Sequence, residues 1–183
     1  MTPYSLAFYL DVVTTGTVLG LRPTDSPDRV AEVLGSRFGE NSFDKHSMWR
    51  DYGLVEFFWD RARGGDPWKG HHITVQVHRL AHRNRSTVSE SFRDRYGRFT
   101  PRLRFDKLRR LLERRGVALV EVPDPANAPY YRTFWQPDSK VAVMVVATHG
   151  EYSTPDNLRV GDVDRIIAPM TDAEVEGRRA RAA

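Results

Sequence analysis

A chain of 183 residues with 40% hydrophobic and 11% aromatic side chains can bury one sizeable core, which excludes wholesale disorder. It has no cysteine, which excludes disulfides, thiolate metal sites and a thiol nucleophile. A net charge of +4 and a pI near 9.6 direct attention to acidic partners.

In Ser5–Val13 (SLAFYLDVV), Leu6, Tyr9, Leu10 and Val13 fall at i, i+3, i+4 and i+7. That spacing predicts a helix capped by Ser5 and stopped by Gly16. Thr17–Leu21 reads as a short strand. Ser26–Gly35 predicts a second helix. Ser26 can cap it, Pro27 suits the first helical position, Asp28 complements the dipole and Gly35 stops it. Phe38–Met48 is polar and reads as loop.

Asp51–Trp59 is rich in aromatic and β-branched residues, and His71–Leu80 alternates apolar with polar. Both read as strands, joined by Asp60–Pro67 with its Gly64-Gly65 pair. Ala81–Thr100 reads as a long polar loop with a helical turn near Ser89–Tyr96. Leu103–Arg115 predicts an amphipathic helix with Phe105, Leu108, Leu111 and Leu112 as its buried stripe.

Val117–Val122, Tyr130–Trp135, Lys140–Thr148 and Asp162–Ala168 read as strands. Lys140–Thr148 is a near-continuous apolar run, as in a strand buried on both faces. Residues 171–183 are small, charged and aperiodic, and read as a disordered tail. The sum is one α+β domain over residues 1–170, a mostly antiparallel sheet with two or three helices packed on one face. Helix-then-strand order in residues 1–80 recurs in 101–170, which suggests two similar halves, although no residue-level repeat accompanies it.

Pattern matching across the hairpin sets Val55, Phe57 and Trp59 beside Ile73, Val75 and Val77 as the core face. Leu54, Glu56 and Phe58 then share the opposite face with His72, Thr74, Gln76 and His78. That face mixes aromatics with hydrogen-bonding groups. It reads either as a surface half covered by another element or as a protein-binding surface formed by Leu54, Glu56, Phe58, His72, Gln76 and His78.

Between Arg79 and Arg115 there are thirteen Arg and Lys against four Asp and Glu. A nucleic-acid surface using Arg83, Arg85, Arg93, Arg95, Arg98 and Arg102 is the alternative reading. The competing account is compositional, since Arg outnumbers Lys by 24 to 4, as GC-rich coding produces.

No metal site is expected. His71 and His72 point to opposite faces of a strand, and His72 and His78 stand roughly 20 Å apart if the strand is extended. P-loop, dinucleotide and nucleophile-elbow motifs are absent, so no cofactor is expected and the chain reads as non-catalytic. Glu56 and His78 in one cleft would be the enzymatic alternative, and Glu151, Asp156 and Asp162 follow a buried strand without specifying a reaction. No run of eighteen apolar residues and no signal peptide is evident, so a cytoplasmic protein is expected.

The stretch LGLRPTDSPDRVAEVLG, followed by WRDYGLVEFFW and HHITVQVHRL, resembles a group of actinobacterial proteins over about residues 17–80. These share a strand–LG–capped helix–LG opening and an RDYGLVE…QVHRL hairpin. Small α+β proteins of this kind resemble immunity proteins encoded beside polymorphic toxins. The resemblance implies a protein partner, a toxin, and carries over no functional residue.

Overall fold

The computed structural model describes residues 4–42, 44–150 and 158–182, leaving the side chain of Arg85 aside. Glu151 and Asp156 lie outside the described residues. Helix α1 (Tyr4–Thr15) buries Leu6, Phe8, Tyr9, Leu10, Val12 and Val13. Thr17–Leu21 is a tight turn rather than a strand: Leu19 and Gly20 both adopt positive φ, and Val18 and Leu21 exchange two 2.9 Å backbone hydrogen bonds.

Helix α2 (Pro27–Leu34) follows its sequence signals. Ser26 Oγ accepts from the Arg29 amide, Pro27 opens the helix, and Gly35 at φ 92° ends it.

The predicted loop 38–48 instead holds edge strand β1 (Gly39–Ser42) and the start of β2 (Ser47–Asp51). An edge strand with one neighbour and all four residues exposed has no apolar pattern to reveal it. The predicted strand 51–59 is likewise split. Gly53 at φ 85° turns the chain, its amide donates to Asp51 Oδ1 at 2.7 Å, and β3 (Val55–Asp60) returns antiparallel to β2. Strand β4 (Lys69–Val75) pairs with β3 so that the expected core faces meet, but with Val55 opposite Val75 and Phe57 opposite Ile73, and a register shift after Phe58 sets Trp59 opposite Gly70 rather than a residue of the apolar set.

The alternating run to Leu80 does not stay extended. After Gln76 it winds into a 3-10 helix, Val77–His82. Val77 remains fully buried, but from that helix.

Helix α3 (Glu90–Tyr96) stands where the helical turn was expected, and α4 (Phe105–Glu113) buries Phe105, Leu108 and Leu112. Strands β5 (Val120–Val122), β6 (Tyr131–Gln136), β7 (Val141–Val146) and β8 (Val163–Ala168) complete the sheet. The presumed tail is helix α5 (Asp172–Ala182). Thr171 Oγ1 accepts from the Glu174 amide at 3.3 Å and Glu174 Oε2 accepts from the Thr171 amide at 2.6 Å, a reciprocal capping box.

The protein is thus α+β: one antiparallel eight-stranded sheet in the order β1-β2-β3-β4-β8-β7-β6-β5, with helices packed on it. The order mirrors itself about the β4–β8 pair, where Ile73, Thr74 and Val75 meet Ala168, Ile167 and Ile166. On one face, residues of α1–α4 join Phe57, Trp59, Val75, Phe134, Val143 and Ile166 in the main core. On the other, α5 brings Val175 onto Val122, Trp135 and Ala142. Strand β7 alternates between the two faces and is buried throughout, as its composition predicts. Among the described residues no helix is long and apolar enough to cross a membrane.

Gly70 lies on β4 against the turn at residues 23–25, where Trp59 Nε1 donates to Asp25 O at 2.8 Å. A Cβ there would collide with the backbone oxygens of Pro23 and Asp25. Gly70→Ala is expected to destabilise the fold by about 1–3 kcal/mol in urea unfolding. A neutral effect would mean that this turn is free to move off the sheet.

Candidate functional site

The six residues expected to form one surface divide between four places. Leu54 is fully buried in the main core, because it sits in the turn before β3 rather than on the strand's outer face. Phe58 and His72 do lie opposite each other on the second sheet face, with rings 5.4 Å apart and edge-on. Trp49 of β2 stacks beside Phe58 at 6.3 Å, which makes a row of three half-buried rings. Trp49 escaped the sequence reading because β2 was merged with β3. Recognising the turn at Gly53 would have placed Trp49 and Asp51 on this face.

Glu56 and Gln76 are buried and belong to a polar network at the end of the sheet seam. Arg79 Nη1 donates to Asp51 Oδ1 at 2.9 Å and to the Gly53 carbonyl at 2.8 Å. Its Nη2 donates to Glu56 Oε1 at 2.5 Å, and Gln76 Nε2 donates to Glu56 Oε2 at 2.6 Å. The chain leaves the extended conformation after Gln76, and that bend carries Arg79 back over the β2–β3 turn. Each Glu56 oxygen is held by a donor, as in a structural ion pair rather than a lone general base.

His78 stands apart from Glu56's two bonds. Its Nδ1 lies 3.8 Å from Asp164 Oδ1, and Arg165 Nε donates to Asp164 Oδ2 at 2.6 Å. Burial lowers the His78 pKa from its ordinary value, against the pull of the Asp164 carboxylate. Asp164 is wholly buried and is passed over by the β7–β8 register shift. Among the described residues Gln76 Oε1, His78 Nδ1 and Asp164 Oδ1 make no hydrogen bond. No group of three His, Asp or Glu among the described residues could hold a metal ion.

The Arg-rich segment also separates. Arg83, Arg93 and Arg98 line one cleft of about 770 Å³. The Arg95 guanidinium lies 5.6 Å from the Tyr96 ring centre instead. Arg102 stands 3.8 Å from buried Asp162, which Arg104 also contacts at 3.2 Å. Arg85 falls outside the described side chains. Arg37, at the wall of an adjoining cleft, had no sequence signal because it lies far from the basic run.

Removing Arg79 would leave the Glu56 carboxylate buried without its cation. Arg79→Met is expected to cost about 3–5 kcal/mol in urea unfolding, and adding Glu56→Leu should recover most of that loss. A single-variant cost below about 1 kcal/mol would show that the pair contributes no more than a surface bridge.

No protein-family model, no curated protein and no solved structure matches this chain.

Proposed function

We propose that this chain is a non-catalytic protein-binding protein of the cytoplasm, an immunity protein that neutralises a toxin by occluding it. The Trp49–Phe58–His72 row is its docking surface. One observation carries the reading. These rings are only half buried, and neither Trp49 nor Phe58 joins any of the apolar clusters formed by the described residues. Helix α5 packs on Trp135 and Ala142, in the other half of the same sheet face. Rigid aromatics set among polar groups are what interface centres use, because they bury large area at small entropic cost.

Co-expression with the products of adjacent genes tests the function. Relief of toxicity from one of them is expected. Absence of both relief and co-purification would sink the reading. Phe58→Ala should weaken that complex by about 1–3 kcal/mol and change the melting temperature little. Val75→Ala, in the core on the helix-bearing face, should do the reverse, with about 1–3 kcal/mol of stability lost. Equal melting-temperature losses would mean that Phe58 is core and not surface.

Burial holds the His72 imidazole down at about 4, with adjacent His71 adding to the effect and Glu174 opposing it. The unfolded chain takes up this proton near the ordinary 6.5, the folded chain only near 4. The native state is therefore favoured above pH 6.5 and loses that advantage as pH falls toward 4. His72→Gln should flatten this slope by about 1–3 kcal/mol relative to the parent. Parallel slopes in both proteins would show that His72 titrates normally. His78, whose pKa is lowered in the same direction, is common to both and cancels in the comparison.

A further inference from the structure

We propose that the two adjoining clefts beside α3 form a groove that binds single-stranded nucleic acid, at a place separate from the aromatic row. The first cleft, about 770 Å³, is walled by Arg83, Arg93 and Arg98, and no carboxylate is among its described lining residues. The second, about 760 Å³, shares Val88 and Arg93 with the first and adds Arg37. Its two carboxylates are Asp51, already engaged by Arg79, and Glu90. Neither cleft is lined by Trp49, Phe58 or His72.

Three exposed arginines of this groove differ from several others in the chain. Arg29, Arg104, Arg109 and Arg132 each contact a carboxylate. Arg37, Arg83 and Arg98 are exposed and make no ion pair among the described residues. Arg83 is set by the backbone: it ends the 3-10 helix at φ 54°, with its amide on Leu80 O at 3.0 Å. Codon bias explains many arginines, but it does not set Arg37, Arg83 and Arg98 along one concave wall.

An arginine fork matches phosphate geometry, and release of counterions drives such contacts. The cations sit in walls of a recess rather than on a projecting helix or ribbon. A duplex is read by elements that enter its grooves, whereas a cationic recess tracks one flexible backbone. The second wall adds hydroxyls: Ser36, Ser86, Ser89 and Ser91 line it, and Ser89 Oγ makes no hydrogen bond among the described residues. No exposed aromatic platform lines either cleft among the described residues, so little base preference is expected.

Fluorescence anisotropy of the full chain with a labelled short single-stranded oligonucleotide tests this. Binding at low salt that weakens as salt rises is expected, as is weaker binding to the duplex of the same sequence. Arg83→Glu with Arg98→Glu should weaken binding by about tenfold or more. Arg114→Glu with Arg115→Glu changes the net charge equally at the exposed end of α4 and should leave affinity within about threefold. Arg83→Gln with Arg98→Gln repeats the test should the reversal unfold the chain, thermal melts being recorded for each. No binding at low salt, equal loss in the α4 pair, or duplex bound as tightly as single strand would each overturn the proposal.

Discussion

The three-residue ladder between β4 and β8 holds this molecule together as one body. Each of these strands is the last of a four-stranded meander, and each would otherwise present a bare edge. Pairing Ile73 with Ala168 and Val75 with Ile166 joins the two meanders on the side that carries α1–α4. Trp59 in the first half and Phe134 in the second therefore lie in the same apolar cluster. The remaining edges fall to β1, wholly exposed and polar, and to the short β5. Polar and short strands are the usual means by which free edges avoid further pairing.

Polar groups gather where the seam ends. Extending the β4–β8 register beyond Val75 points Gln76 toward Arg165, and the 3-10 helix that follows sets His78 Nδ1 3.8 Å from Asp164. There the chain bends, the ladder is interrupted, and buried charges must find partners among side chains. Arg79 meets this need for Asp51 and Glu56, and Arg165 for Asp164. The network is better understood as the closing of an irregular corner than as a reaction centre, because each Glu56 oxygen is already bonded.

The mirrored halves are covered differently, and the candidate surfaces follow from that difference. Helix α5 lies over Trp135 and Ala142 on the second face of one half. The corresponding face of the other half carries Trp49, Phe58 and His72. The basic clefts belong to a third region, where the connection from the first meander to the second meets the end of α2 and the β2–β3 turn. Connections carry less of the packing load than strands, which leaves their side chains available for recognition.

Periodicity and capping chemistry in the sequence determined a good deal: α2 with its Ser26 cap, the apolar stripe of α4, the two-sided burial of β7, the core face shared by β3 and β4 and the α+β class. The Thr171–Glu174 capping box and the turn at Gly53 were present in the sequence too, and missing them hid α5, β2 and Trp49. Only the tertiary structure decided the rest. Alternation continues past Val75, yet the strand stops, because long-range bonds from Arg79 to Asp51, Gly53 and Glu56 outweigh local β preference. Which arginines meet in a cleft and which are taken by Asp162 is set by contacts between segments distant along the chain, such as Arg102 with Asp162. A local pattern records which residues prefer to be buried or extended; it holds no information about which partner occupies the space opposite, and that occupancy separates Leu54 in the core from Phe58 on the open face.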